Sequence, residues 1–293
     1  MLGLPRFDVP AKRSIIVALC ALFQLASAQT NLTGHAAELF KKAQSGKFYA
    51  TAARLHPEYL PTSDSQSFLC VWRATGTNSP KHWIVSIHGR EGFATDDLAI
   101  WSAHLKGRDV GLVTVQWWLG GDNARVSYYS PEQVYREIDR ALQKLGVAPG
   151  TIMFHGVSRG SANSYAVVAL DHGRGKKYFA LNVASSGAVA LDYRPTQSIT
   201  NGDYGDHPLR GTRWVTAAGA KDSDRDGIAA MRRSAEWLKE QGATAELAIE
   251  DPNLGHGALL INPNNARRLL DLFLTNQPQT GYSEKSSTAP DRE

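Results

Sequence analysis

The chain has 293 residues, with 42% hydrophobic and 20% charged content. That suits one domain with a sizeable core and excludes a fibrous or wholly disordered chain. Its net charge is +4, and no basic run accompanies it, so clustered Lys and Arg for binding nucleic acid are excluded. Residues 1–28 read as a signal peptide. Lys12 and Arg13 precede the apolar run Ile15 to Leu25, and Ala26-Ser27-Ala28 supplies an A-x-A cleavage site. The run is shorter than the about 20 residues of a membrane-spanning helix, so no stable membrane insertion is expected after signal removal. An uncleaved N-terminal anchor is the rival reading. Cleavage would start the mature chain at Gln29, in the periplasm or the medium. Loss of Arg6, Lys12, Arg13 and Asp8 would lower the net charge from +4 to +2. Cys20 would leave too, and Cys70 alone cannot form an internal disulfide. It falls between Phe68 and Trp72 on one face of a predicted strand and reads as a buried structural thiol. Asn31-Leu32-Thr33 is a glycosylation sequon, relevant only to a eukaryotic secretory route.

Residues 29–66 carry the weakest pattern. Ala36 to Ala43 reads as a short helix and His56 to Pro61 as a loop. Predicted strands follow at Phe68–Ala74 and His82–Ile87, separated by a Gly- and Pro-containing turn. A helix is predicted over Asp96–Leu105 and a strand over Val110–Trp117. Ser130-Pro131-Glu132-Gln133 combines an N-cap, proline at the first helical position and a capping-box glutamine. Val134, Ile138, Ala141, Leu142 and Leu145 then share one helical face, and Gly146 ends it. Ile152-Met153-Phe154 reads as a buried strand and Ser161 to Leu170 as a helix. Further strands are predicted at Phe179–Ala184, Thr212–Ala218 and Ala245–Ile249, with helices at Gly227–Gln241 and Asn264–Thr275. Residues 276–293 read as a disordered polar tail, leaving 29–275 as one domain. Strands alternating with helices predict an α/β fold, a mostly parallel sheet covered on both faces. In such sheets ligands bind beyond the carboxyl ends of the strands.

Four of those strand ends carry chemistry. Gly156-Val157-Ser158-Arg159-Gly160 is a G-x-S-x-G pentapeptide between strand and helix. Such a sharp turn exposes a serine as nucleophile; an ordinary Gly-rich turn is the bland reading. A serine needs a base, because its hydroxyl is protonated at neutral pH. His256, flanked by Gly255 and Gly257 after the last strand, fits that role. An acid is needed to orient the imidazole. Asp222 after the preceding strand is the first choice and Asp224 the second. Asp222, Asp224, Asp226 and Gly227 also begin like a calcium loop, but Arg233 stands where the twelfth position requires glutamate, so no metal is assigned. The oxyanion requires two backbone N–H groups. Arg159 is expected to supply one. The segment His88 to Gly92 is expected to supply the other, from Arg90, with Gly89 permitting close approach. His155 precedes the pentapeptide, and His172, His207 and His104 lack an evident partner. Trp117, Trp118, Tyr128, Tyr129, Tyr193 and Tyr204 fall in or near loops at the same edge. Trp117 and Trp118 are taken as candidate substrate contacts.

The sequence resembles the α/β-hydrolase family. The resemblance rests on His88-Gly89, Gly156 to Gly160, Asp222 in Gly219-x-x-Asp, and Gly255-His256-Gly257, in the family's order Ser, Asp, His. It covers roughly residues 65–275 and is nearest to secreted esterases of the polyhydroxybutyrate-depolymerase and feruloyl-esterase kind, whose extra cysteines this chain lacks. Asp192 and Asp206 follow a different strand from the family's acid. The resemblance implies an α/β-hydrolase fold and a secreted serine esterase working through an acyl-enzyme without a cofactor. The short stretch between Gly187 and Thr212 leaves no room for a large lid domain. An open cleft suits an ester substrate that is polymeric or aromatic. A serine peptidase of the same fold and a non-catalytic exported binding protein are the alternatives. The sequence does not specify an oligomeric state.

Overall fold

β-branched and aromatic runs too short for helices alternate with longer amphipathic stretches, and the chain folds accordingly. The computed structural model describes residues 31–75, 79–123, 127–223 and 225–275. The expected leader, the polar tail and Asp224 lie outside these residues. In chain order the elements are α1 (Gly34–Gln44), α2 (Tyr49–Ala53), β1 (Glu58–Pro61), β2 (Phe68–Arg73), β3 (His82–Ile87), α3 (Ala94–Leu105), β4 (Val110–Val115) and α4 (Pro131–Leu145). Then come β5 (Ile152–Val157), α5 (Arg159–Gly173), β6 (Phe179–Ser185), α6 (Arg194–Thr200), β7 (Arg213–Gly219), α7 (Ile228–Glu240), β8 (Thr244–Asp251), α8 (Ala258–Ile261) and α9 (Pro263–Thr275).

The strands form one eight-stranded sheet in the order β1-β2-β4-β3-β5-β6-β7-β8. β1 and β2, and β2 and β4, pair antiparallel; the pairs from β4 onward are parallel. Alternate side chains feed two cores. Val85, Ile87, Val113, Ile152 and Phe154 pack with α4, α5 and α7 on one face. Ile84, Leu112 and Met153 pack with α1, α3 and α9 on the other. β5, buried between two strands and two helical layers, therefore ends at a rigid point.

α4 forms as its sequence predicts. The Ser130 hydroxyl accepts from the Gln133 N–H at 3.3 Å, Gln133 Oε1 accepts from the Ser130 N–H at 2.9 Å, and Gly146 ends the helix at φ 65°. The loop expected at His56–Pro61 is instead corrected to strand β1. Tyr59 and Leu60 are buried there, and Pro61 is tolerated because an edge strand need not donate on its outer side. Glu137, wholly buried on α4, accepts from the Ser63 N–H and the Arg140 guanidinium, and Arg140 also donates to the Pro61 carbonyl. α2, α6 and α8 were not expected; each has four to seven residues, too short for a helical period to register. Between Gly187 and Thr212 the only helix is α6, and no large lid is present among the described residues. Cys70 is buried and its thiol is pushed up to about 12, chiefly by desolvation.

Candidate active site

β5 delivers the chain to Ser158 and α5 begins at the next residue. Ser158 has φ 57° and ψ −121°, which turns the backbone through a sharp corner. Glycines make that corner possible. A Cβ on Gly156 would lie 2.5 Å from the Gly160 carbonyl oxygen, and one on Gly160 would lie 2.6 Å from the His88 carbonyl oxygen. A Cβ on Gly187 would overlap the carbonyl of Ser158 itself. The Ser158 N–H donates to Ser185 at 2.8 Å, and the Ser158 carbonyl accepts from Ala162 at 3.1 Å. Both backbone groups are satisfied, which leaves the hydroxyl as the serine's reactive group.

The loops after β7 and β8 bring Asp222 and His256 together. His256 Nδ1 lies 3.0 Å from Asp222 Oδ1 and 3.1 Å from Oδ2. The carboxylate is an obligate acceptor, so Nδ1 is the donor, the tautomer in which a neutral imidazole has its lone pair on Nε2. The Asp222 side chain is 5% exposed and the His256 side chain 49%: the acid is covered while the imidazole remains accessible. The two loops are packed backbone to backbone. Lys221 N–H donates to the Leu254 carbonyl at 2.9 Å, Ala220 N–H donates to Asp251 at 2.8 Å, and a Cβ on Gly219 would overlap the carbonyls of Leu254 and Gly255. Gly257 N–H donates to the Ser186 hydroxyl at 3.2 Å.

Asp251, which sequence reasoning passed over, anchors the histidine loop. Its Oδ1 accepts from the N–H groups of Asn253 (2.9 Å) and Leu254 (3.1 Å), and its Oδ2 from the side-chain amides of Asn262 (2.7 Å) and Asn265 (2.9 Å). The Asn262 hydrogen bond, with the others, holds the carboxyl below the usual aspartate range. The signal that could have found it was an aspartate at a strand end followed by Asn253, Asn262 and Asn265.

The segment after β3 runs beside the serine. A Cβ on Gly89 would stand 3.2 Å from Ser158 Cβ and 3.7 Å from Oγ, so a side chain there would crowd the serine. His88 is pinned beneath it. Its ring Nδ1 donates to the Gly89 carbonyl at 2.8 Å, its Nε2 accepts from the Trp117 N–H at 3.4 Å, and the Trp117 indole donates to the His88 carbonyl at 2.9 Å. Burial pushes the imidazole down to about 4, so it stays neutral. The candidate substrate contacts need correcting. Trp117 is 1% exposed, and its indole is consumed in holding the loop. Trp118 packs edge-on against Phe93 and donates to Gly121. Neither lines the cavity at Ser158. Tyr129 is buried against Asp64, and Tyr204 donates to Glu132.

That cavity has a volume of about 450 Å³. Its wall includes Ser158, Ala162, Ala188 and Ala190, with Arg90, Arg159, Asp192, Tyr193, Arg225 and Asp226 supplying polar and charged groups. The calcium reading of the β7 loop loses Asp222 to His256, and Asp226 faces this cavity. His155, one turn of strand before the elbow, is buried beside Ser86 (2.9 Å) and Trp101 (3.3 Å) on the opposite side of β5.

No family model matches the chain, and no curated protein matches it. Solved structures do. A hyperthermophilic esterase from the archaeon Pyrobaculum calidifontis aligns with a TM-score of 0.58 at 16% identity, covering 82% of this chain and 90% of that one. EstE1, a thermophilic carboxylesterase cloned from a metagenomic library, gives 0.55 at 17% identity, with 82% and 95% covered. An arylesterase gives 0.52 at 15%, with 74% and 80% covered. At such identities the likeness shows the fold alone, and that fold is the α/β-hydrolase fold.

Proposed function

We propose that this protein is an exported serine hydrolase of carboxylic esters. The observation that carries the reading is the approach of His256 Nδ1 to both oxygens of a covered Asp222, on loops that follow β7 and β8 at the same sheet edge as the elbow serine after β5. Ser158 Oγ attacks the ester carbonyl while His256 Nε2 takes its proton. The tetrahedral oxyanion is held by the backbone N–H groups of Arg159 and Arg90. His256 then protonates the leaving alcohol, and water activated by the same nitrogen releases the acid. Asp222 keeps the imidazole in the required tautomer and balances its charge while it is protonated. No step calls for a cofactor. The esterase character of the structural neighbours supports ester hydrolysis; a peptidase is the competing outcome of the test.

The cavity is of a size that takes a small group, and its wall mixes alanines with charges. Short acyl groups or polar esters suit it better than a long alkyl chain. Esters on larger molecules, including polyesters and feruloylated or acetylated polysaccharides, fit an entrance without a large lid. Export follows from the leader pattern and is tested by the N-terminus of the secreted form, expected at Gln29.

A fluorophosphonate probe should label the wild-type protein and not Ser158→Ala. Nitrophenyl acetate and butyrate should be cleaved, an aminoacyl-nitroanilide should not, and a panel of feruloyl ester, acetylated xylan and polyester film should rank the natural substrate classes. Equal labelling of Ser158→Ala, or cleavage of the anilide alone, would overturn the reading.

A further inference from the structure

Arg90 and Glu91 occupy a tight turn beside Ser158. Gly92 N–H donates to Gly89 at 3.3 Å to close it, and Glu91 sits at φ 52°. A residue with a side chain does not hold that left-handed conformation without support. The support comes from a phenol distant in sequence. Tyr128 Oη accepts from the Glu91 N–H at 2.9 Å.

The same tyrosine also meets the residue after the nucleophile. The Arg159 guanidinium lies 4.2 Å from the centre of the Tyr128 ring, a cation–π contact at short range. The ring also packs against Trp117, with centroids 4.7 Å apart, and the Trp117 indole holds the His88 carbonyl at 2.9 Å. One side chain therefore touches the backbone of the Arg90–Glu91 turn and the guanidinium of Arg159, the two residues assigned to the oxyanion, and its neighbour fixes the start of the turn.

From this geometry we infer that Tyr128 is a positioning residue: it clamps the Arg90–Glu91 turn to Arg159 and so sets the spacing of the two oxyanion donors. The inference rests on the ester-hydrolase reading of the site. It also gives the Arg159 side chain a purpose apart from its backbone N–H. The phenol fixes the peptide that follows Arg90, and so restrains the turn whose preceding peptide carries the Arg90 N–H. A donor that must meet charge appearing only in the transition state loses most of its effect if it is free to swing.

Tyr128→Phe tests this, because it keeps the ring for Arg159 and Trp117 and removes only the acceptor for Glu91. We expect kcat for nitrophenyl butyrate to fall about tenfold, below the roughly hundredfold or more that follows deletion of a donor, with KM changed less than about twofold. Affinity for an alkylboronic acid, which forms a tetrahedral adduct on the serine, should fall by the same factor. Butyrate, which forms no adduct, should bind as before. Amide exchange at Glu91 should be slow in the wild type and fast in the variant, a readout that needs no turnover. Fast exchange in the wild type would overturn the inference even if the variant folds poorly. If the wild type is labelled by fluorophosphonate and cleaves esters, but Tyr128→Phe matches it in kcat and boronate affinity, the clamp is wrong and the hydrolase reading stands. If the wild type is neither labelled nor active, the hydrolase reading fails and the clamp falls with it.

Discussion

His256 presents about half of its side chain to solvent while the carboxylate behind it is nearly covered. The asymmetry matters for Asp222→Asn. The amide preserves shape but offers the imidazole an N–H as readily as an oxygen, so the tautomer with Nδ1 deprotonated becomes accessible and Nε2 would lose the base role proposed for it. We expect kcat to fall roughly ten-thousandfold with little change in thermal stability, measured by nitrophenyl ester turnover and a melting curve. Retention of more than a tenth of the activity would remove Asp222 from the mechanism. The placement of Ser158 at a strand–helix corner, and of Asp222 and His256 in neighbouring loops, was legible in sequence because glycines mark it: Gly156 and Gly160, Gly219, Gly255 and Gly257 stand where a Cβ would meet backbone or where φ is positive. Trp117 was misread for the opposite reason. A large aromatic in a loop looks available to a ligand, and only the fold reveals that its indole holds the His88 carbonyl. The Arg159 side chain could not be read at all, since its ring partner is 31 residues away across an irregular loop.

Among the elements, the segment from β8 to α9 has the most to carry. It must turn from an edge strand, present His256 and enter two helices within a dozen residues. Asp251 governs that turn with four N–H donors on two oxygens. In Asp251→Asn one oxygen becomes an NH₂ group facing donors. The loop should loosen, displacing His256 from Asp222, and kcat should fall on the order of a hundredfold while fluorophosphonate labelling slows in parallel. An unchanged labelling rate would show that the loop is held by its backbone contacts to β7 alone. Long elements with a strong period, such as α4, were legible to within a residue of their caps. β1 was not, because its prolines suggest a loop and its place at the edge depends on Tyr59 and Leu60 finding the α1 and α4 layers, a tertiary choice.

At the scale of the whole molecule, stability should depend on two groups buried between β3, β5 and α3. Ser86 and His155 are register partners on β3 and β5, and the Ser86 hydroxyl makes a short hydrogen bond to Asp97. Burial pushes the Asp97 carboxyl up to about 7 and the His155 imidazole down to about 3. The folded chain holds a proton on Asp97 that the unfolded chain releases above pH ~4. Stability from this group is therefore present in acid and lost as pH rises from about 4 to about 7. His155 has the opposite sign: its contribution is present above its unfolded pKa near 6.5 and lost as pH falls towards 3. Asp97→Asn removes the first slope and keeps an oxygen for Ser86. Relative to wild type, the variant should gain stability between pH 4 and pH 8, by on the order of a few kcal/mol, in urea denaturation at each pH. A difference independent of pH would place the ionised carboxylate in the native state throughout. The alternation of strands and helices made the parallel sheet legible. This buried network was not, because nothing in the separate stretches around Ser86, Asp97 and His155 says that they meet.

The backbone angles of Ser158 have a consequence for anyone wishing to harden this protein. Glycine adopts φ 57° and ψ −121° without steric penalty, whereas serine holds them at a cost of roughly 1–3 kcal/mol. Glycine at position 158 would relieve that strain, and the hydroxyl proposed as the nucleophile would go with it. Durability and usefulness are in opposition at that one position, so efforts to raise the melting temperature are better directed at the far face of the sheet, where α1, α3 and α9 pack, than at the corner where β5 ends.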